Sequence, residues 1–308
     1  MPEPDRSATG QFPNNQKGHV KLLKWAKRLA GNSTIHFCME ATGSYGDAIA
    51  LYLAEAGHLV SVINPYRIHH WAISRGLGNK TDKVDARAIA RYCLNEKPDV
   101  WRMAAPEVRE LTAFVRHLDN LKQQATQQNN RLSEPGLPPL VIKSLKKLLH
   151  QIEEQIASLE QGIEEHINNH PGLKQDRDLL VTIPGIAQTT AAKILAELPD
   201  VHQFNSAQSA AKYAGLSPSQ YMSGSSIHKR TKLFKGGKRR LKATLYMPAM
   251  TAIRYNEPVK QIYQRLVAKG HKGASALAAA MRKLLMIAVG VLRSQTPFQA
   301  DFAKIAKA

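Results

Sequence analysis

The chain has 308 residues, 43% of them hydrophobic, which is enough for two or three domains with buried cores. Its two cysteines, Cys38 and Cys93, follow no zinc or disulfide spacing, and the N-terminal "MPEPDRSATG" has no apolar signal core; a disulfide-stapled secreted fold is excluded and a reducing, cytosolic setting is expected. Net charge is +19 and uneven: residues 1–170 carry 21 Lys and Arg against 18 Asp and Glu, residues 171–308 carry 22 against 6.

Between residues 18 and 103 helix and strand patterns alternate. "GHVKLLKWAKRLAG" sets Leu22, Trp25, Ala26 and Leu29 on one face and predicts an amphipathic helix. "STIHFCME" is a short β-rich run ending at Glu40. "GSYGDAIALYLAEAG" is helical and stops at Gly57, and "HLVSVINP" is a second buried strand closed by Pro65. Two helical segments follow, the second starting near Asp82. Alternation of this kind predicts an α/β sheet, in which chemistry gathers at the carboxyl ends of strands, and Glu40 sits at one.

From Pro106 the period changes. Apolar residues recur at Leu111, Phe114, Leu118 and Leu121, and again at Leu145, Leu148, Ile152, Ile156, Leu159 and Ile163, with "SEPGLPP" between the two runs. The pattern predicts two long helices forming a coiled-coil arm or a dimer seam. From Pro171 the chain is mostly helical, rich in small residues and basic. "ASALAAAMRKLLMIAVGVLRS" is apolar but interrupted by Arg282 and Lys283, so it predicts a buried helix and no membrane span. The expected domains are 1–103, 104–170 and 171–308.

The basic half would repel itself without a polyanion, and phosphate backbones are the usual partner. "LLVTIPGIAQTTAAKILAEL" has the form helix, Pro-Gly turn, helix and resembles a helix-hairpin-helix element. There Gly185 permits close approach, and backbone N–H groups with the next helix N-terminus face a phosphate. An ordinary helical hairpin uses the same residues. "SIHKRTKLFKGGKRRLKATL" carries Lys229, Arg230, Lys232, Lys235, Lys238, Arg239, Arg240 and Lys242 with no acid among them, and is expected to contact phosphates. Just before it, Ser223, Ser225 and Ser226 surround Gly224. A serine attacks only when its proton is removed or the phosphate beside it is polarised, and a Gly/Ser turn is also an ordinary loop.

"NKTDKVDARAIARYC" places Asp82 and Asp85 at a helix start. Asp82 as N-cap with Asp85 at the third helical position satisfies free N–H groups and the helix dipole. The same spacing puts both carboxylates on one face, and with Glu40 they make three oxygen ligands suited to Mg²⁺ or Mn²⁺. On spacing alone both readings stand.

Taken together, "CMEATGSYGDAIALYLAEAGHLVSVINP", "GLGNKTDKVDARAIARYC", "IPGI", "YAGLSPSQYMSGSSIHKR" and "LYMPAM" resemble the DEDD-type transposases of bacterial insertion sequences, the group of bridge-RNA-guided serine recombinases. The likeness runs in order from about Gly18 to the last helix. It implies a RuvC-like (RNase H-like) α/β domain over 1–103, a helical coiled-coil arm, and a mostly α transposase domain. It also implies Ser223 as nucleophile, Mg²⁺ on Glu40, Asp82 and Asp85, DNA and a guide RNA as partners, a homodimer or homotetramer, and the bacterial cytoplasm as location. Family members open with a strand bearing a first aspartate in a G-[IV]-D context. This chain opens "MPEPDRSATGQFPNNQKGH", and Asp5 lies in a polar, proline-containing segment, so a RuvC-like domain without that strand is expected. Two other functions fit the same residues: a catalytically impaired nucleic-acid-binding remnant, and a metal-dependent junction nuclease that uses water.

Overall fold

A computed structural model describes residues 7–31, 33–41, 43–77, 81–198, 200–223, 227–234 and 236–300, the side chains of Ser44 and of 220–231 excepted. Most of these residues are helical, and the chain divides into two units, Met1–Met103 and Ala104–Ala308. Asp5 lies outside the described residues.

The first unit is a small α/β layer. Strands β1 (His36–Glu40) and β2 (Leu59–Ile63) pair in parallel, with Phe37 opposite Val60 and Glu40 opposite Ile63. Alternation sends successive side chains to opposite faces. Phe37, Met39, Val60 and Val62 face α1 (Gln16–Ala30) and α2 (Asp47–Glu55), where Leu23, Ala50 and Leu53 are buried. Cys38 and Ile63 face α3 (Pro65–Ser74) and α4 (Asp82–Glu96), against Ile68, Ile89 and Tyr92.

Helix α1 turns only partly from its expected face: Leu22 and Ala26 pack inward as expected, Trp25 and Leu29 do not. His19, Leu23 and Ala26 are buried, whereas Leu29 is exposed. Trp25 lies against Phe12, 5.5 Å between ring centroids, which takes it away from the sheet. Cys38 and Cys93 adjoin as free thiols. Burial first, then the neighbouring thiol, pushes Cys38 up to about 12, so it stays protonated at neutral pH.

The second unit is helical around one core, apart from a hairpin. Helices α5 (Pro106–Leu132) and α6 (Pro139–Asn169) pack side by side as an antiparallel pair. Their buried rows are Leu111, Val115, Leu118 and Leu121 against Leu145, Ile152 and Ile163. Two expected positions differ. Phe114 is only partly buried, edge-on to His166 at 5.3 Å, so Val115 takes its place in the row. Leu148 remains 42% exposed.

The base of this pair shares its core with α7 (Pro171–Val181), α8 (Gln188–Glu197), α9 (Ala207–Tyr213), α10 (Arg239–Thr244), α11 (Tyr246–Tyr255), α12 (Glu257–Ala268) and α13 (Gly273–Ser294). Helix α13 is the one helix among the described residues long and apolar enough to cross a membrane. Here it is the central helix of that core, with Ala280, Leu284, Leu285, Ala288 and Val289 fully buried.

The element not expected is an antiparallel hairpin, β3 (Pro218–Ser223) and β4 (Ile227–Leu233), with a bulge between Ser219 and Tyr221. A buried ion cluster fixes its base. Glu197, at the end of α8, is 3% exposed; Arg116 Nε donates to its Oε1 at 3.1 Å, and Lys238 Nζ stands 3.1 Å from its Oε2. Lys238 Nζ also donates to the Glu197 carbonyl, and its backbone N–H to the Tyr213 carbonyl. Burial alone would raise the Glu197 carboxyl; the Lys238 and Arg116 charges outweigh it and hold it below the usual range.

Glu197→Ala removes the buried carboxylate shared by two partly exposed cations, Arg116 and Lys238, and leaves a void beneath them. We expect a loss of about 3 kcal/mol, read as a fall in Tm of about 6–12 °C. A carboxyl held low stabilises above its unfolded pKa and stops doing so as pH falls through the folded value. The difference between wild type and variant therefore shrinks in acid, below the ordinary glutamate range, and equal melting curves at pH 7 would contradict this.

Candidate functional site

The carboxylate site starts at the cap of α4. The N-cap is Thr81, whose Oγ1 accepts from Val84 N at 3.3 Å, so Asp82 is the first helical residue and not the cap. This corrects the expected capping arrangement. With Thr81 in that role, the carboxylates of Asp82 and Asp85 are left with only the helix dipole to satisfy.

On α4, Asp85 continues the inward stripe of Ile89, Tyr92 and Cys93 by one turn. Cys93 meets Cys38, and Ile89 and Tyr92 meet the Ile63 level of the sheet. The helix therefore runs its N-terminus toward the carboxyl end of β1, where Glu40 lies opposite Ile63. Glu40, two residues from Cys38, projects to that same face. Glu40 and Asp85 are half-buried and Asp82 is exposed. Glu40, Asp82 and Asp85 thus share one end of one face. Among the described residues, however, no group of three or more His, Cys, Asp or Glu is close enough to hold a metal ion. None of the three carboxylates has a hydrogen-bonding or ion-pair partner among those residues.

Ser223 is the last residue of β3, in register with Ile227 across the hairpin. Ser225 and Ser226 lie outside the described residues. Below Ser223 the hairpin is pinned at four points. Phe234 N donates to Ser217 O at 2.9 Å, Lys238 N donates to Tyr213 O at 2.7 Å, and Lys238 joins the Glu197 cluster. The fourth is a crossing of two backbones: a Cβ on Gly237 would lie 2.0 Å from Gly215 N and 2.1 Å from its Cα.

The basic run is not uniform. Lys229 and Arg230 lie in β4, with Lys229 opposite Tyr221. Lys232 and Arg239 are exposed, Lys242 is half-exposed, and Lys235 lies outside the described residues. Arg240 Nη1 is 3.9 Å from Asp119 Oδ2, a carboxylate that Lys193 already holds at 2.5 Å. Lys238 departs from expectation: it is held by Glu197 and lies 5.6 Å from the Tyr213 ring centre, so it positions the hairpin rather than presenting a free charge.

In the α7–α8 turn, Gly185 has φ +106°. A Cβ there would lie 2.9 Å from both Ala252 Cβ and Pro248 O on α11. Asn256, fully buried, donates from Nδ2 to Pro184 O at 3.4 Å and caps α12 by accepting from Val259 N. The glycine thus serves packing against α11. The first turn of α8 is a separate feature: Ala187, Gln188 and Thr189 are exposed and no side chain caps it, which leaves N–H groups open to a phosphate.

Sequence reasoning missed Thr81, Glu197 and the Gly215–Gly237 crossing. A threonine directly before "DKVD" is a local capping signal that was available. The other two depend on residues far apart in the chain.

A model described as the transposase IS116/IS110/IS902 family matches residues 177–264, and a second transposase model, of the DEDD type of IS110, matches residues 1–134. The pilin gene-inverting protein of Moraxella lacunata is 35% identical over 289 residues, covering 93% of this chain and 89% of that protein. An uncharacterized 43.6 kDa protein of insertion element IS110 from Streptomyces coelicolor is 27% identical over 241 residues, covering 78% and 56%. The transposase for insertion sequence element IS1328 of Yersinia enterocolitica is 24% identical over 214 residues, covering 61% and 63%. The chain therefore belongs to the IS110 family of DNA transposases and recombinases.

Proposed function

We propose that this protein moves a bacterial insertion element by cutting and rejoining DNA with Ser223, in the cytoplasm, as a homodimer or homotetramer guided by a structured RNA. Its first unit is read as a RuvC-like domain. The observation that carries the proposal is the placement of Ser223: a serine at the end of a strand whose base is pinned to a buried ion cluster and a backbone crossing. A serine in a merely polar turn needs no such support.

In the reaction, the Ser223 Oγ–P bond forms as the P–O3′ bond of the DNA breaks. The released 3′ oxygen ends with the proton that the serine loses, leaving a 5′-phosphoserine. Rejoining reverses this with a different 3′-hydroxyl. Glu40, Asp82 and Asp85 offer the oxygen-only donor set that Mg²⁺ or Mn²⁺ takes. Such an ion, when bound, supplies charge stabilisation at the phosphate. Lys229, Arg230, Lys232, Lys235, Arg239 and Lys242, with the α8 N-terminus beyond Gly185, hold the DNA backbone; Arg240, shared with Asp119, does so less. Exposed Leu140 and Leu148 on α6 leave apolar surface for a second copy's arm.

Two expectations follow. Duplex affinity of the full-length chain should fall by about 10³-fold between 50 and 200 mM salt; an affinity flat across that range would sink the phosphate reading. Ser223→Ala should stop strand exchange with DNA affinity retained, while Ser225→Ala and Ser226→Ala retain exchange. Unchanged exchange by Ser223→Ala would refute the assignment.

A further inference from the structure

Beside the hairpin lies a cavity of about 930 Å³, between β3, β4, the end of α12 and the start of α13. Its floor is apolar, Leu216, Leu233, Leu266 and Ala278, with exposed Ala274 at its edge. Its rim is basic and contains no acid: Lys232, His271, Lys272 and Arg282. Lys232, His271 and Lys272 are exposed, Arg282 is half-buried, and none of the four is engaged by a carboxylate among the described residues. This differs from Arg116, Lys193 and Lys238, which are neutralised by Glu197 or Asp119. Among the described residues, the cations that line the hollow thus lack the carboxylate partners that hold Arg116, Lys193 and Lys238.

The two halves of the hollow ask for different things. A basic rim without acids complements phosphate and repels a cation or a basic peptide. An apolar floor gains nothing from a phosphate or from paired duplex, whose bases are already stacked, but it does gain from an uncovered base face. The volume lies within the range of small-molecule sites and is ample for one nucleotide. Pro218 and Lys232, on the lining, belong to the same two strands that lead to Ser223. At strand rise, the five steps from Pro218 to Ser223 span about 17 Å.

We propose that this hollow takes one unpaired nucleotide of single-stranded DNA, its base on the floor and its flanking phosphates on Lys232, Lys272 and Arg282. It would thereby anchor a separated strand a few nucleotides from Ser223. The choice of DNA rests on the proposed attack of Ser223 on DNA, and so on the reading above.

The test is fluorescence anisotropy of the full-length chain with three labelled probes: a perfect DNA duplex, the same duplex with a single thymidine bulge, and that bulge made abasic. The wild type should bind the thymidine bulge about tenfold tighter than the other two, from the apolar base face that it removes from water. Ala274→Phe adds a ring at an exposed position and fills the hollow; it should erase that preference and leave perfect-duplex affinity unchanged. Lys272→Ala with Arg282→Ala should weaken the bulged probe more than the duplex. Equal affinity for all three probes, or a preference that survives Ala274→Phe, overturns the proposal while the DNA-binding reading stands. Tighter binding of the same bulge in RNA overturns the assignment to DNA. Binding to no probe overturns both readings.

Discussion

Gly237→Ala should abolish strand exchange and lower the Tm of the Ala104–Ala308 unit by about 6–12 °C. The added Cβ meets Gly215 N at 2.0 Å, Gly215 Cα at 2.1 Å and the Ala214 carbonyl carbon at 2.6 Å. All three are backbone, so no side chain can swing aside. Overpacking of flexible neighbours costs 1–3 kcal/mol; with backbone on both sides about 3 kcal/mol is a lower estimate, and for a unit this size each kcal/mol moves Tm by roughly 2–4 °C. The functional loss should exceed the stability loss. The clash moves the Gly236–Lys238 segment, and with it β4, whose first residue, Ile227, lies opposite Ser223. A displacement of an ångström at a reacting group costs about 100-fold in rate. The check is to assay exchange well below the variant's own Tm. If Gly237→Ala melts like wild type and recombines like wild type, the crossing does not position the hairpin.

Asp82→Asn and Asp85→Asn should each cost at least about 100-fold in strand exchange and almost nothing in stability. Thr81→Ala should do the reverse. The contrast follows from the cap: Thr81 Oγ1 satisfies the Val84 N–H, so its loss costs about 1 kcal/mol. Replacing the exposed Asp82 or half-buried Asp85 carboxylate by an amide breaks no hydrogen bond among the described residues and loses only the low end of the dipole interaction, about 0.3 kcal/mol. Binding of Mn²⁺, followed by its paramagnetic resonance signal, gives a readout apart from activity. It should weaken in both aspartate variants and in Glu40→Gln and persist in Thr81→Ala. Mn²⁺ binding unchanged in Asp82→Asn and Asp85→Asn would mean that the carboxylates do not hold the ion.

Much of this arrangement was legible in the sequence because it is local. The strand ending at Glu40, the helix from Asp82, the two long amphipathic helices and the Pro-Gly turn at 184–185 each follow from periodicity and breakers within a few residues. The hairpin was not read. Its strands carry His228, Lys229, Arg230 and Lys232, and a run of charge hides the alternation that marks a strand. The residues "GSS" between "SQYMS" and "IHKRTKL", turn formers by composition, were the available signal.

Other features could not be read locally at all. Glu197 and Lys238 are 41 residues apart, and Arg116 is 81 residues from Glu197; only the packed core brings them together. Gly185 shows a related limit. A glycine in a Pro-Gly turn suits a phosphate approach and an internal contact equally well, and the facing Ala252 and Pro248 on α11 are known only from the fold. The face of α1 was partly misread because Trp25 pairs with Phe12, outside the helix, and the helical period does not register such a partner.

The central claim is that Ser223 forms a covalent bond to DNA. The most direct measurement is to incubate the full-length chain with DNA spanning the element's ends, the structured RNA and Mg²⁺, quench in denaturant, digest, and locate the nucleotide-bearing peptide by mass spectrometry. The account predicts a 5′-phosphoserine adduct on Ser223, absent from Ser223→Ala. Cleaved DNA with no adduct, or an adduct on Ser225 or Ser226, would contradict it.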